Sequence, residues 1–107
     1  MILNFWASWC ISCKAEAAQL ELAHNHISEA KVIGVAIQDE LEMAVQFAQK
    51  FNKTYLLGLD ETGYANTEYG IRGVPETFII NKQGIVVKHI VGPVDFGLLR
   101  KEIDLIK

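Results

Sequence analysis

The two cysteines of this 107-residue chain stand together in Trp9-Cys10-Ile11-Ser12-Cys13. Thiols at that spacing can hold a metal, attach a haem or exchange disulfides. A structural zinc site needs four ligands, and the chain offers neither a second cysteine pair nor a nearby histidine pair. Haem attachment needs a histidine directly after the second cysteine, where this chain has Lys14. Copper delivery remains open, with a distant histidine (His24, His26 or His89) as a further ligand. A bridge over so short a loop restrains the unfolded chain little, and a secreted scaffold stapled by disulfides would need more cysteines. The pair therefore reads as chemistry rather than as a staple.

Positioning it is the task of a strand and a helix. Residues 1–7 are nearly all apolar apart from Asn4 and read as a short buried strand. From Cys10 to about Ile27 the pattern turns helical, with Ala17, Leu20 and Ala23 or His24 recurring and Glu16, Gln19 and Glu21 supplying polar positions. Residues 31–38 are a second buried strand. Residues 40–51 are a second helix, with Leu41, Ala44, Val45, Ala48 and Phe51 on one face. A short extended piece at 55–59, a turn at 60–63 and one or two helical turns within 64–70 follow. Strands at 77–81 and 85–91 form an antiparallel hairpin around Asn81–Gly84. Asp95 caps a last helix carrying Leu98, Leu99, Ile103 and Ile106. Right-handed crossovers make the first two strands parallel, and the hairpin completes an α/β fold: a mixed sheet of about four strands flanked by helices on both faces.

The whole chain is expected to be a single domain, 1–107. Half its residues are hydrophobic and 21% are charged, which argues against disorder. The net charge of −3 gives no support for a nucleic-acid partner. No apolar run approaches the roughly 18 residues of a membrane span. Met1 leads straight into Ile2-Leu3-Asn4-Phe5-Trp6, so no export signal is visible.

At a strand-to-helix junction the first helical N–H groups and the macrodipole favour negative charge, which lowers the pKa of Cys10. Cys13, one turn further in, is more buried and within disulfide reach. Cys10 is expected to be the exposed nucleophile and Cys13 the sheltered resolving thiol. Glu16 lies three residues beyond Cys13 on the same helical face, where it could accept that thiol's proton. A solvated first-turn glutamate is the alternative. Trp6 reads as core, and the three histidines read as helix-end and strand-surface residues.

A second signal, Gly73-Val74-Pro75-Glu76-Thr77-Phe78, precedes the hairpin. Together with Trp-Cys-x-x-Cys it resembles the thioredoxin superfamily. That resemblance implies a redox-active Cys-x-x-Cys centre facing a cis-proline, here a cis Val74–Pro75 bond. It also implies that the Val74 backbone is free to pair with an extended substrate segment, and that the Trp9 ring lies beside the exposed sulfur. A finer resemblance runs through LNFWASWC (3–10), CKAE (13–16), VIGVAIQDE (32–40), GIRGVPETFIIN (70–81) and KHIVGPV (88–94). These stretches resemble the extracytoplasmic TlpA-like branch, most closely the DsbE/CcmG-type thiol:disulfide reductases of cytochrome c maturation. Asn4 stands where ordinary thioredoxins carry a buried aspartate, and in the resembling branch a glutamate at the position of Glu16 is the buried acid. Glu76, beside the proline, would shape an acidic substrate groove; as an ordinary residue at a strand start it would need no function. Ser12 departs from a pattern that often has proline between the cysteines.

The resemblance further implies a disulfide-bearing protein substrate such as an apocytochrome c, a membrane electron donor of the DsbD/CcdA type, no cofactor and no metal. A general thioredoxin-like reductase is the alternative activity, and a copper-binding module or a non-catalytic interaction domain would belong to other classes. The implied location is periplasmic or otherwise extracytoplasmic, with the membrane reached only through an anchor that this chain does not contain. Relatives carry at least one strand ahead of the one at 1–7, so the family's N-terminal strand or strands are expected to be missing. In that case VIGVAI (32–37) would be left as an exposed sheet edge.

Overall fold

The computed structural model describes residues 1–107. In chain order the elements are β1 (Ile2–Trp6), α1 (Ile11–His26), β2 (Val32–Ala36), α2 (Leu41–Lys50), β3 (Leu56–Leu59), α3 (Tyr64–Glu68), β4 (Glu76–Ile80), β5 (Val86–Val91) and α4 (Phe96–Ile106). One mixed sheet runs in the order β3-β2-β1-β4-β5. β1 pairs with β2 in parallel and β2 with β3 in parallel, whereas β1–β4 and β4–β5 are antiparallel.

β1 is central, and all five of its residues are buried. That is why its sequence reads as a continuous apolar run rather than an alternation. Its even positions share one face: Ile2 packs with Leu20 and Ala23 of α1 and with Leu99 and Ile103 of α4, and Trp6 packs with Phe47 of α2. The two right-handed crossovers step the same way along the sheet, so α1 and α2 lie on this face together. Leu3 and Phe5 point the other way and meet Phe78, Tyr69 and Ala65 of the short α3. Asp95 caps α4 by accepting from the Leu98 N–H at 2.8 Å. The hairpin turn is closed by Asn81, whose Oδ1 accepts from the N–H groups of Gln83 and Ile85, with Gly84 supplying a φ of 80°.

Two expectations are corrected. The sheet has five strands, not about four, because the piece expected only as extended at 55–59 pairs with β2 from Ile33↔Leu56 to Ala36↔Leu59. For the same reason VIGVAI is not an edge: β3 covers it and is itself the edge strand. On α2 the buried residues are Ala44 and Phe47, while Leu41 and Val45 are exposed. The helix is turned so that Leu41, Ala44, Val45 and Ala48 line an open groove of about 390 Å³ with Leu57 and Leu59.

Candidate active site

Cys10 and Cys13 form a disulfide at the start of α1. Cys10 is the helix N-cap, and its sulfur accepts from the Cys13 N–H at 3.1 Å. A first-turn donor aimed at that sulfur, added to the helix dipole, favours the Cys10 thiolate once the bond is reduced. Ser12 Oγ lies 3.7 Å from the same sulfur. The expected contrast in exposure is small in this disulfide form, at 5% for Cys10 and 1% for Cys13. Packing of both into one cluster with Trp6, Ala7, Ala36 and Phe47 is the reason.

The turn before Cys10 is held from the loop that follows β2. Asp39 accepts from the Ser8 N–H and hydroxyl, each at 2.7 Å, and from the Glu40 N–H. Trp9 is 57% exposed, and its indole N–H donates to the Gln38 carbonyl at 2.9 Å. Ile11, on the other side of Cys10, is also exposed. Two apolar side chains thus flank the disulfide at the surface.

Behind the disulfide, Glu16 is 2% exposed, which excludes the solvated alternative. The Asn4 amide donates to Glu16 Oε1 at 2.8 Å and to Thr77 Oγ1 at 3.0 Å, and the Val94 N–H donates to Glu16 Oε2 at 3.1 Å. One carboxylate therefore ties α1 to β1 and to the loop before α4. Burial pushes the Glu16 carboxyl above the ordinary carboxylate range, and the Val94 N–H, the Asn4 amide and the Lys53 charge offset this only in part. A carboxylate held in this way is poised to take a proton.

The Val74–Pro75 peptide bond is cis, and Pro75 is buried. The Val74 side chain packs against the cluster that contains both cysteines. Neither its N–H nor its carbonyl enters a backbone hydrogen bond. Glu76 is 2% exposed rather than an ordinary exposed strand residue. Its Oε2 accepts from the N–H groups of Arg72 and Gly73 at 2.9 and 3.1 Å, and its Oε1 lies 2.6 Å from His89 Nε2. Burial opposes the Glu76 charge, but these three contacts outweigh it and hold the carboxyl below the ordinary range. The pair borders a surface cavity of about 550 Å³ lined also by Gly70, Arg72, Gly73 and Val91.

Three residues at or beside the site were not legible as such. His89, expected as a plain surface residue, stacks on Phe78 with ring centroids 4.3 Å apart and meets Glu76. Strand pairing Phe78↔His89 brings them together, so only the hairpin register would have revealed it. Asp39 gives no sign in the sequence of its hold on Ser8. Lys53 places its Nζ 3.6 Å from the Trp6 ring centroid, and its stem alone would have read as surface. His24 and His26 do lie in the last turn of α1. No group of three or more histidine, cysteine or acidic residues has a geometry that could hold a metal ion.

Known proteins share this arrangement. Residues 1–89 match the AhpC/TSA family. The thiol:disulfide interchange protein DsbE of Allochromatium vinosum is 36% identical over 104 residues, covering 95% of this chain and 56% of that protein. DsbE of Pseudomonas aeruginosa is 32% identical over 105 residues, covering 95% and 56%. The crystal structure of StoA from Bacillus subtilis superposes with a TM-score of 0.82 at 30% identity, covering 94% of this chain and 78% of that one. The chain thus spans about half the length of the curated relatives it matches. By sequence, by fold and by the disulfide at the head of α1, it belongs to the AhpC/TSA family of the thioredoxin superfamily, as a DsbE/CcmG-type thiol:disulfide protein.

Proposed function

We propose that this chain is the catalytic domain of a thiol:disulfide oxidoreductase that works as a reductant in cytochrome c maturation. The observation that carries the proposal is the Cys10–Cys13 disulfide at the head of α1 with the buried Glu16 behind it. In the reduced protein the Cys10 thiolate attacks one sulfur of a substrate disulfide. A Cys10–substrate bond forms and one substrate thiolate leaves. Glu16 takes the proton of the Cys13 thiol, and the Cys13 thiolate attacks Cys10. The Cys10–Cys13 bond closes, the second substrate thiolate is released, and two electrons have passed from the dithiol to the substrate. Trp9 and the free Val74 backbone beside Pro75 receive the extended substrate segment, and Glu76 shapes the adjoining groove.

The substrate on this reading is the oxidised Cys-x-x-Cys-His segment of an apocytochrome c. The domain is regenerated by a membrane electron donor of the DsbD/CcdA type, in the periplasm or its equivalent, where relatives are anchored. No helix of this chain is long and apolar enough to cross a membrane. The test is to offer the reduced domain an oxidised Cys-x-x-Cys-His peptide and, separately, insulin. Fast reduction of the peptide with poor reduction of insulin supports the specialised role. Equal, fast reduction of both assigns a general thioredoxin-like reductase instead.

A further inference from the structure

Lys53 follows the end of α2, where its N–H donates to the Ala48 carbonyl. A lysine that merely covers apolar surface carries its ammonium out into water. Here Nζ lies 3.6 Å from the Trp6 ring centroid, 4.9 Å from that of Phe47 and 5.6 Å from that of Tyr55. Three aromatic faces hold the cation on the α1–α2 side of the sheet. Trp6 is two residues from Asn4 on the same side of β1, and Asn4 is hydrogen-bonded to Glu16. The cation and the buried carboxylate therefore lie on the same face of the sheet, linked through Trp6 and Asn4 of one strand.

We infer that Lys53 is a positioning residue for the exchange reaction: its caged ammonium is the counter-charge that sets when Glu16 is ionised, and so when Cys13 loses its proton. The inference rests on the proposed role of Glu16. Lys53 takes part in none of the chain's ion pairs, so its field is not spent on a direct partner. It is the only cation that pulls the Glu16 carboxyl down. The other groups facing the pair are Glu21 of α1, the Tyr55 hydroxyl, His24 against the Tyr55 ring, and Glu61 across the groove. Glu21 is already engaged by the Thr54 N–H and hydroxyl. Burial pushes Lys53 itself down to about 8, with the charges of Glu16 and Glu21 pulling it back up. Its positive charge thus weakens above that pH, and with it the hold on Glu16.

The experiment follows the Glu16 carboxyl by carbon NMR across pH in the full chain, oxidised and reduced, with Glu16→Gln to assign the signal. In Lys53→Met the Glu16 titration is expected to move up by about one pH unit. The pH profile for resolution of a Cys10 mixed disulfide should move with it, and Lys53→Arg should restore both. Coupling is reciprocal, so the Lys53 ammonium in Glu16→Gln must titrate lower than in the wild type by the same amount. That second measurement stands even where the Met variant does not fold. A Glu16 titration that coincides in Lys53→Met and wild type overturns the inference, as does a Lys53 titration unmoved in Glu16→Gln. If Glu16→Gln leaves mixed-disulfide resolution unchanged at every pH, the role of Glu16 fails first and the inference falls with it. The two failures are thereby told apart.

Discussion

Asn4 of β1 donates its amide to the buried carboxylate of Glu16 at 2.8 Å, joining the central strand to the helix that starts at the disulfide. Asn4 is the partner and Glu16 is the group that titrates. Asn4→Asp places a second carboxylate at hydrogen-bond distance, and two such groups cannot both ionise cheaply. The variant is expected to titrate as a coupled pair sharing one proton near neutral pH. Asn4→Leu, which removes the donor, should raise the Glu16 titration further and cost about 1–3 kcal/mol of stability. Carboxyl NMR and urea denaturation check both.

The two buried glutamates give opposite dependences of stability on pH. Glu16 titrates above its unfolded value of about 4.3, so its contribution is most favourable below that pH and is lost as pH rises through the folded value. Glu16→Gln should therefore gain on the wild type as pH rises. Glu76 titrates below its unfolded value, so its contribution is full above about pH 4.3 and is lost as pH falls through the folded value. Glu76→Gln should lose its disadvantage in acid. Urea titrations of wild type and both variants from pH 3 to pH 8, on the order of one measurement per pH unit, give the slopes. Equal, parallel curves would contradict both assignments.

Trp9 separates binding from folding. It is largely exposed and makes one hydrogen bond to the Gln38 carbonyl. Trp9→Ala is expected to cost under about 1.5 kcal/mol of stability. It should slow reduction of a protein disulfide by about tenfold while leaving reduction of a small aromatic disulfide nearly unchanged. A parallel loss on both substrates would place the effect at Cys10 rather than in substrate contact.

Gly34 marks how tightly β2 is packed beneath the site. A methyl group there would meet Leu57 Cδ2 at 2.9 Å, Trp6 Nε1 at 3.1 Å and Tyr55 Cε2 at 3.1 Å. Gly34→Ala should destabilise the domain by about 1–3 kcal/mol in urea, because Trp6 of β1, Leu57 of β3 and Tyr55 just before β3 must give way together. A neutral effect would mean that Leu57 moves freely into the groove beside it.

Much of this was legible from residues alone. The buried strand, the helix starting at Cys10 and the hairpin each carry a local signal, whether an apolar run, a cap or a turn, while the cis Val74–Pro75 bond followed only from the family resemblance. The four residues Leu56–Leu59 carry too short a pattern to announce a paired strand, so the sheet edge was misplaced by one strand. On α2 the shared face of Leu41, Ala44, Val45 and Ala48 was readable, but not that it opens on a groove while Phe47 is the residue that reaches Trp6. Lys53 and His89 stayed hidden for a common reason. Their significance lies in which residue the fold brings against them, Trp6 in one case and Phe78 with Glu76 in the other. No local pattern encodes that.

The most direct test of the exchange centre is trapping. Cys13→Ser and Cys10→Ser variants are each reduced, mixed with an oxidised Cys-x-x-Cys-His peptide and examined by mass spectrometry without added thiol. Cys13→Ser is expected to accumulate a mixed disulfide through Cys10, and Cys10→Ser to accumulate little or none. Trapping through Cys13 instead, or no adduct with either variant, would contradict Cys10 as the attacking thiol and Cys13 as the one that resolves.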